Sequence, residues 1–123
     1  MKEEQTNEYI TWLTEAKQRH HQIESVVFAL YEEVDKLSRK WPTMPITQLT
    51  LNKTNKVIKS FKDLLKNEDD DFAEDINEII PAGDLPEMRD LVLILSQVRA
   101  ALGRFENKYQ NEWRKLDRNE YYV

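Results

Sequence analysis

The sequence predicts an all-α fold: an elongated antiparallel helical bundle of two long helices with a broken middle layer. Three observations carry this. Apolar residues recur at alternating spacings of three and four over the first forty residues and again after residue 90. All four prolines fall between the periodic stretches. No stretch alternates apolar and polar residues with the period of a strand. The 123 residues are expected to form a single helical-bundle domain, 1–123.

The first helix is predicted over about 5–40. Leu13, Ala16, His20, Ile23, Val27, Leu30, Val34, Leu37 and Trp41 form a coiled-coil-like heptad stripe, and Tyr9 extends it backwards. Trp12, Val26, Phe28 and Tyr31 widen the arc, which suits a helix touched by two neighbours. Pro42 and Pro45 end it, because each proline disfavours helix at the residue before it. A second helix is predicted over about 48–66, capped by Thr47 or Thr50, with Leu51, Val57, Ile58, Phe61, Leu64 and Leu65 on one arc. Lys53, Lys56, Lys59, Lys62 and Lys66 occupy the opposite arc.

Phe72, Ile76, Ile79 and Ile80 suggest a short amphipathic helix over about 71–80, stopped by Pro81-Ala82-Gly83. Asp84, Pro86 and Glu87 read as a capping box that opens a last helix over about 86–118. Its face is Leu91, Leu95, Val98, Leu102, Phe105, Tyr109, Trp113 and Leu116. Tyr121-Tyr122-Val123 is expected to fray. Leu30, Leu37, Leu95, Leu102 and Phe105 are the predicted core between the long helices. The wide arc of the first helix points to a homodimer, since so much apolar surface exceeds what a monomer usually exposes.

Composition removes several function classes. There is no cysteine, so disulfides, thiolate metal sites and a cysteine nucleophile are excluded. None of the four serines sits in a Gly-x-Ser-x-Gly elbow, and Gly83 and Gly103 cannot build a phosphate loop. No apolar run spans a bilayer, and the first residues carry no apolar leader, so the expectation is a cytoplasmic protein without a membrane partner. His20 and His21 are adjacent and point about 100° apart on a helix, so they cannot chelate one ion together. His20 with Glu24 could hold a weak surface metal, but a hydrogen-bonded core histidine is the simpler reading. No resident metal is therefore expected.

Charge is the most informative feature. The chain carries 18 Lys+Arg and 23 Asp+Glu, a net −5. Residues 39–66 hold seven bases and one acid, net +6, while residues 67–90 hold one base and ten acids, net −9. The lysine arc reads first as a solvated face, then as a docking surface for an acidic protein. Nucleic acid is disfavoured, because the arc has no arginine or exposed aromatic and the acidic block would repel phosphates. The reading that emerges is a non-enzymatic interaction module that self-associates or docks a protein partner. Weak, sequence-independent nucleic-acid binding by the lysine face is one alternative.

The other alternative is an enzyme. Glu87-Met88-Arg89-Asp90, followed by Leu91-Val92-Leu93-Ile94-Leu95, resembles the Glu-x-x-Asp half of the site of all-α MazG-type nucleotide pyrophosphohydrolases. That resemblance implies Mg²⁺ held by Glu87 and Asp90, with catalysis through the metal. The family's Glu-x-x-Glu half has no match at the right distance. Glu32-Glu33-Val34-Asp35 ends in Asp and lies too far upstream, and Asp71-Phe72-Ala73-Glu74 is imperfect too.

Overall fold

The computed structural model describes residues 2–122, with side chains from 7 to 121. The elements in order are α1 (Lys2–Lys40), α2 (Gln48–Leu64), a single turn α3 (Asp71–Glu74), α4 (Met88–Asp117) and a 3₁₀ turn, Glu120–Tyr122. The all-α bundle expected from the periodicity is present. α1 and α4 pack along one another antiparallel: Lys17 reaches Asp117, His20 reaches Leu102, and Pro42 meets Arg89. α2 lies antiparallel on α1, fixed by Arg19 against Asp63. Thr47 caps α2 as expected, its hydroxyl accepting from the Thr50 amide at 3.2 Å.

The middle layer differs from the expectation beyond Glu74. Instead of a helix to residue 80, the chain runs back in extended form. Connectivity requires this. α2 travels about 25 Å away from the loop at residues 41–47, yet α4 must begin beside that same loop. A ten-residue helix would cover about 15 Å, whereas an extended chain gains about 3.3 Å per residue. Asn55 of α2 holds the returning segment by both its polar atoms. Its Nδ2–H donates to the Ile79 carbonyl at 2.8 Å, and its Oδ1 accepts from the Ile79 amide at 2.7 Å. The amide side chain thereby imitates a neighbouring strand. Ile76 is buried and Ile79 half-buried, so the apolar pattern of 76–79 is used, but by a strand-like segment rather than a helix.

The capping box is also overturned. α4 starts at Met88, its cap residue is Glu87, and no side chain caps it. Two of its orphan amides are met by backbone: Met88 donates to the Met44 carbonyl at 2.9 Å and Arg89 to the Pro42 carbonyl at 3.0 Å. The Ile46 amide returns the contact to Pro86. A loop forty residues away does the work that Asp84 was expected to do. The tail does not fray through Tyr121: Asn119 adopts φ 56°, the chain reverses, and Tyr121 packs against the core beside Glu112.

The core forms two clusters along the bundle. One gathers Leu13, Val27, Ile58, Phe61, Val98, Leu102 and Phe105; the other gathers Leu30, Val34, Ile46, Leu51, Met88, Leu91 and Leu95. Leu30, Leu95, Leu102 and Phe105 are buried as expected. Leu37, in contrast, is only half-buried, because it lies in the last turns of α1 at the end of the second cluster.

Candidate functional site

The five lysines, four on α2 and Lys66 just past its end, do not form one uniform face. Lys53, Lys56 and Lys59 are exposed and make no ion pair among the described residues. Lys66 lies in the turn just past α2 and approaches Asp63 at 3.8 Å, so the helix predicted to about 66 ends two residues earlier. Lys62 is drawn sideways onto the returning segment, donating to Asn77 Oδ1 at 2.7 Å and to the Glu74 carbonyl at 3.2 Å. The expectation that all five project into solvent therefore fails at Lys62, which is half-buried.

The acidic block folds against cations that the sequence did not single out. Asp70 accepts two hydrogen bonds from the Arg104 guanidinium, at 2.9 and 3.0 Å, and also caps α3 through the Ala73 amide. Arg104 holds the Asp70 carboxyl below the usual aspartate range, against an opposing contribution from burial. Glu68 accepts from Lys108 at 2.7 Å and from the Tyr109 hydroxyl. Burial first, then this hydrogen bond, pushes the Tyr109 phenol up to about 12. The neutralisation runs to α4 rather than to the lysine face. Among the described residues, Lys53, Lys56 and Lys59 thus keep their charge unpaired.

A second surface lies along the α1–α4 seam. α2 and the returning segment cover one side of that seam. On the other side an open groove is lined by Glu24, Ser25, Phe28, Arg99, Leu102 and Gly103. Phe28 is 51% exposed, and the Arg99 guanidinium lies 5.5 Å from its ring centroid and 4.6 Å from that of Tyr31. Two residues apart on α1, Phe28 and Val26 point to opposite flanks, so their exposure marks different surfaces. At the far end, beyond α2, Trp12 stacks on Tyr9 and meets Tyr109 edge-on while remaining 38% exposed.

Beside the groove sits the one buried imidazole. His20 Nε2–H donates to the Leu102 carbonyl at 2.9 Å, which fixes the tautomer, because a carbonyl can only accept. Its ring lies between Phe105 and Trp113, at centroid distances of 5.8 and 5.4 Å. The simpler sequence reading, a hydrogen-bonded core histidine, describes this geometry.

Glu87 and Asp90 make no comparable assembly. Glu87 receives a hydrogen bond from Arg89 at 2.8 Å, Asp90 is exposed, and among the described residues no third carboxylate or imidazole converges on them. Glu32 and Asp35 do not join them, and Asp35 is paired with Arg39. No helix among the described residues is long and apolar enough to cross a membrane. No family model, curated protein or solved structure matches the chain.

Proposed function

We propose that this chain is a non-enzymatic helical interaction module of the cytoplasm, which self-associates along the open side of the α1–α4 seam. The observation that carries the reading is one-sided cover: a bundle whose two longest helices share a seam sealed on one flank and grooved on the other. Phe28, Tyr31 and Arg99 are the anchors. Aromatic and arginine side chains are the types that dominate interface energetics when desolvated. A second copy placing its own groove there would complete a bundle by two-fold symmetry, with each Phe28 leaving solvent.

The test is sedimentation equilibrium across about 1–100 μM, a range that brackets the micromolar affinities expected of a modest interface. A dimer for the parent chain and a monomer for Phe28→Glu support the reading. A parent chain that stays monomeric throughout overturns it.

A second surface is favoured by one specific observation. Among the described residues, Lys53, Lys56 and Lys59 stay unpaired although the acidic block follows α2 directly in the chain. That arrangement suits an acidic protein surface, with docking that weakens as salt rises. Replacing the three by glutamate should leave the melting temperature within about 2 °C, as expected of surface substitutions, and slow association with acidic partners. Retention of the parent chain on duplex DNA at 150 mM salt, lost in the triple variant, would instead select nucleic acid as the ligand.

A further inference from the structure

We infer that this chain pairs with a second copy of itself antiparallel, α4 against α4, about a two-fold axis beside Gly103, so that Arg99 of each copy meets Glu106 and Glu24 of the other. The inference rests on the self-association reading above and names how the two grooves engage. Its basis is a second stripe on α4, separate from the apolar face. Ser96, Arg99, Gly103, Glu106 and Gln110 recur at spacings of three, four, three and four, and each is exposed or half-buried. Arg99, Gly103 and Glu24 line the open groove. Glu106 continues it, with a carboxylate oxygen within 4.8 Å of one of Glu24.

Both ends of this strip carry charge that the chain does not answer. Among the described residues Arg99 makes no ion pair, and its guanidinium rests on the Phe28 and Tyr31 rings instead. Among the same residues neither Glu24 nor Glu106 is paired with a lysine or arginine. Two carboxylates that close repel, and a cation brought to them relieves the repulsion. The groove therefore presents a lone cation at one end and two uncompensated anions at the other. An all-acidic or all-basic partner answers one end only. A second copy answers both.

The helix geometry supplies the symmetry. Arg99 and Glu106 are two turns apart on α4, about 10.5 Å along the axis and within about 20° of the same direction. Their midpoint falls between Leu102 and Gly103. A two-fold axis through that point runs the two α4 helices antiparallel and sets each Arg99 opposite Glu106 of the partner copy, with its Glu24 alongside. Gly103 stands at the axis, so no side chain there holds the helices apart. A parallel pair would instead set Arg99 on Arg99 and glutamate on glutamate. Charge thus selects the antiparallel arrangement, and Phe28, beside Arg99, is carried into the same contact.

Charge reversal followed by sedimentation equilibrium tests this. Arg99→Glu and Glu106→Arg each turn two attractions into two repulsions, and each alone should weaken the dimer by about tenfold or more. An equimolar mixture of the two variants should recover a dimer close to parent strength, because the reversed charges then face one another with opposite sign. The double variant, Arg99→Glu with Glu106→Arg, should pair with itself for the same reason. Raising the salt to about 1 M should bring the parent and the single variants together, since screening then acts within about 3 Å. Circular dichroism checks that every variant keeps its helices, and Arg99→Asp with Glu106→Lys repeats the comparison should either chain fold poorly. A parent dimer whose single variants associate as tightly as it does, or whose mixture associates no better than either variant alone, overturns the pairing and leaves self-association standing. A parent chain that stays monomeric overturns both.

Discussion

Asn55 offers the sharpest test of how this fold is closed. Its two hydrogen bonds to Ile79 are the only described side-chain clasp between α2 and the extended part of the returning segment beyond Asn77. Asn55→Ala removes both and leaves the Ile79 amide and carbonyl without their partner. A hydrogen bond of this kind contributes about 1 kcal/mol net, and more if the orphaned group is kept from water. Asn55 and Ile79 are both half-buried, so water reaches the vacated groups in part and the loss should stay near 2 kcal/mol, about 1 per bond. For a chain of this length that lowers the melting temperature by about 8 °C and the urea midpoint by about 1 M. Amide exchange provides the local readout: the Ile79 amide should be protected in the parent and exchange fast in the variant, while α4 amides keep their protection. Asn55→Asp should fall between the two, because a carboxylate still accepts from the Ile79 amide but repels its carbonyl. A loss under half a kcal/mol for Asn55→Ala would show that the segment is held by Ile76 burial alone.

Three further outcomes follow from particular residues. Asp70→Ala removes a helix cap and an arginine partner and should cost about 1–2 kcal/mol in urea unfolding. Because the native Asp70 carboxyl is lowered from 3.8, its contribution is complete above that value and is lost as pH falls through the lowered native one; Asp70→Asn, which keeps the cap, should flatten that acid limb. Gly103→Ala should stabilise the chain by about 0.5–1 kcal/mol in thermal melts, since an added Cβ meets nothing within 4 Å; a loss would mean α4 is closer to a neighbour there than it stands. Tyr9, Tyr109 and Tyr121 are all raised, chiefly by burial, so the folded state favours their neutral forms. Their stabilisation is full below the ordinary value of 10.0 and declines as pH rises toward about 12 at Tyr109, which an ultraviolet titration paired with melts should show as one alkaline transition.

The helices were legible because each is decided by a local periodicity that burial then uses. The arc through Leu13, Val27 and Leu30 meets the arc through Leu95, Leu102 and Phe105 as the spacing requires. What stayed illegible was decided by partners distant in sequence. Asp84 and Glu87 have the spacing of a capping box, yet the amides at the start of α4 bond to Pro42 and Met44 carbonyls, which no local pattern encodes. Ile76 and Ile79 have apolar spacing compatible with a helix, but the distance the chain must recross selects an extended path. The two hydrogen bonds of Asn55 then fix it.

The candidate surfaces divide along the same line. Lysines three residues apart on one helix announce a basic face, but only the fold shows that Lys62 is diverted and that Arg104 and Lys108 take up the acids. Glu68 and Asp70 are committed to α4, and among the described residues Lys53, Lys56 and Lys59 make no ion pair. His20 was visible as a polar residue in an apolar stripe, and Glu24 as its neighbour one turn on. Glu106 lay eighty-six positions away from His20, and nothing in its local sequence marks it. It comes near His20 and Glu24 only because α4 runs antiparallel to α1 in the register that sets Leu102 against His20. Shifting that register by a single turn, about 5.4 Å, would carry Glu106 out of reach of His20 while still alternating apolar with apolar along the seam. The imidazole bond to Leu102 and the ring contacts with Phe105 and Trp113 are specific to one register. So are Lys17 against Asp117 and the Met88 and Arg89 amides on the Met44 and Pro42 carbonyls, and together these contacts set the alignment that the leucines alone leave degenerate.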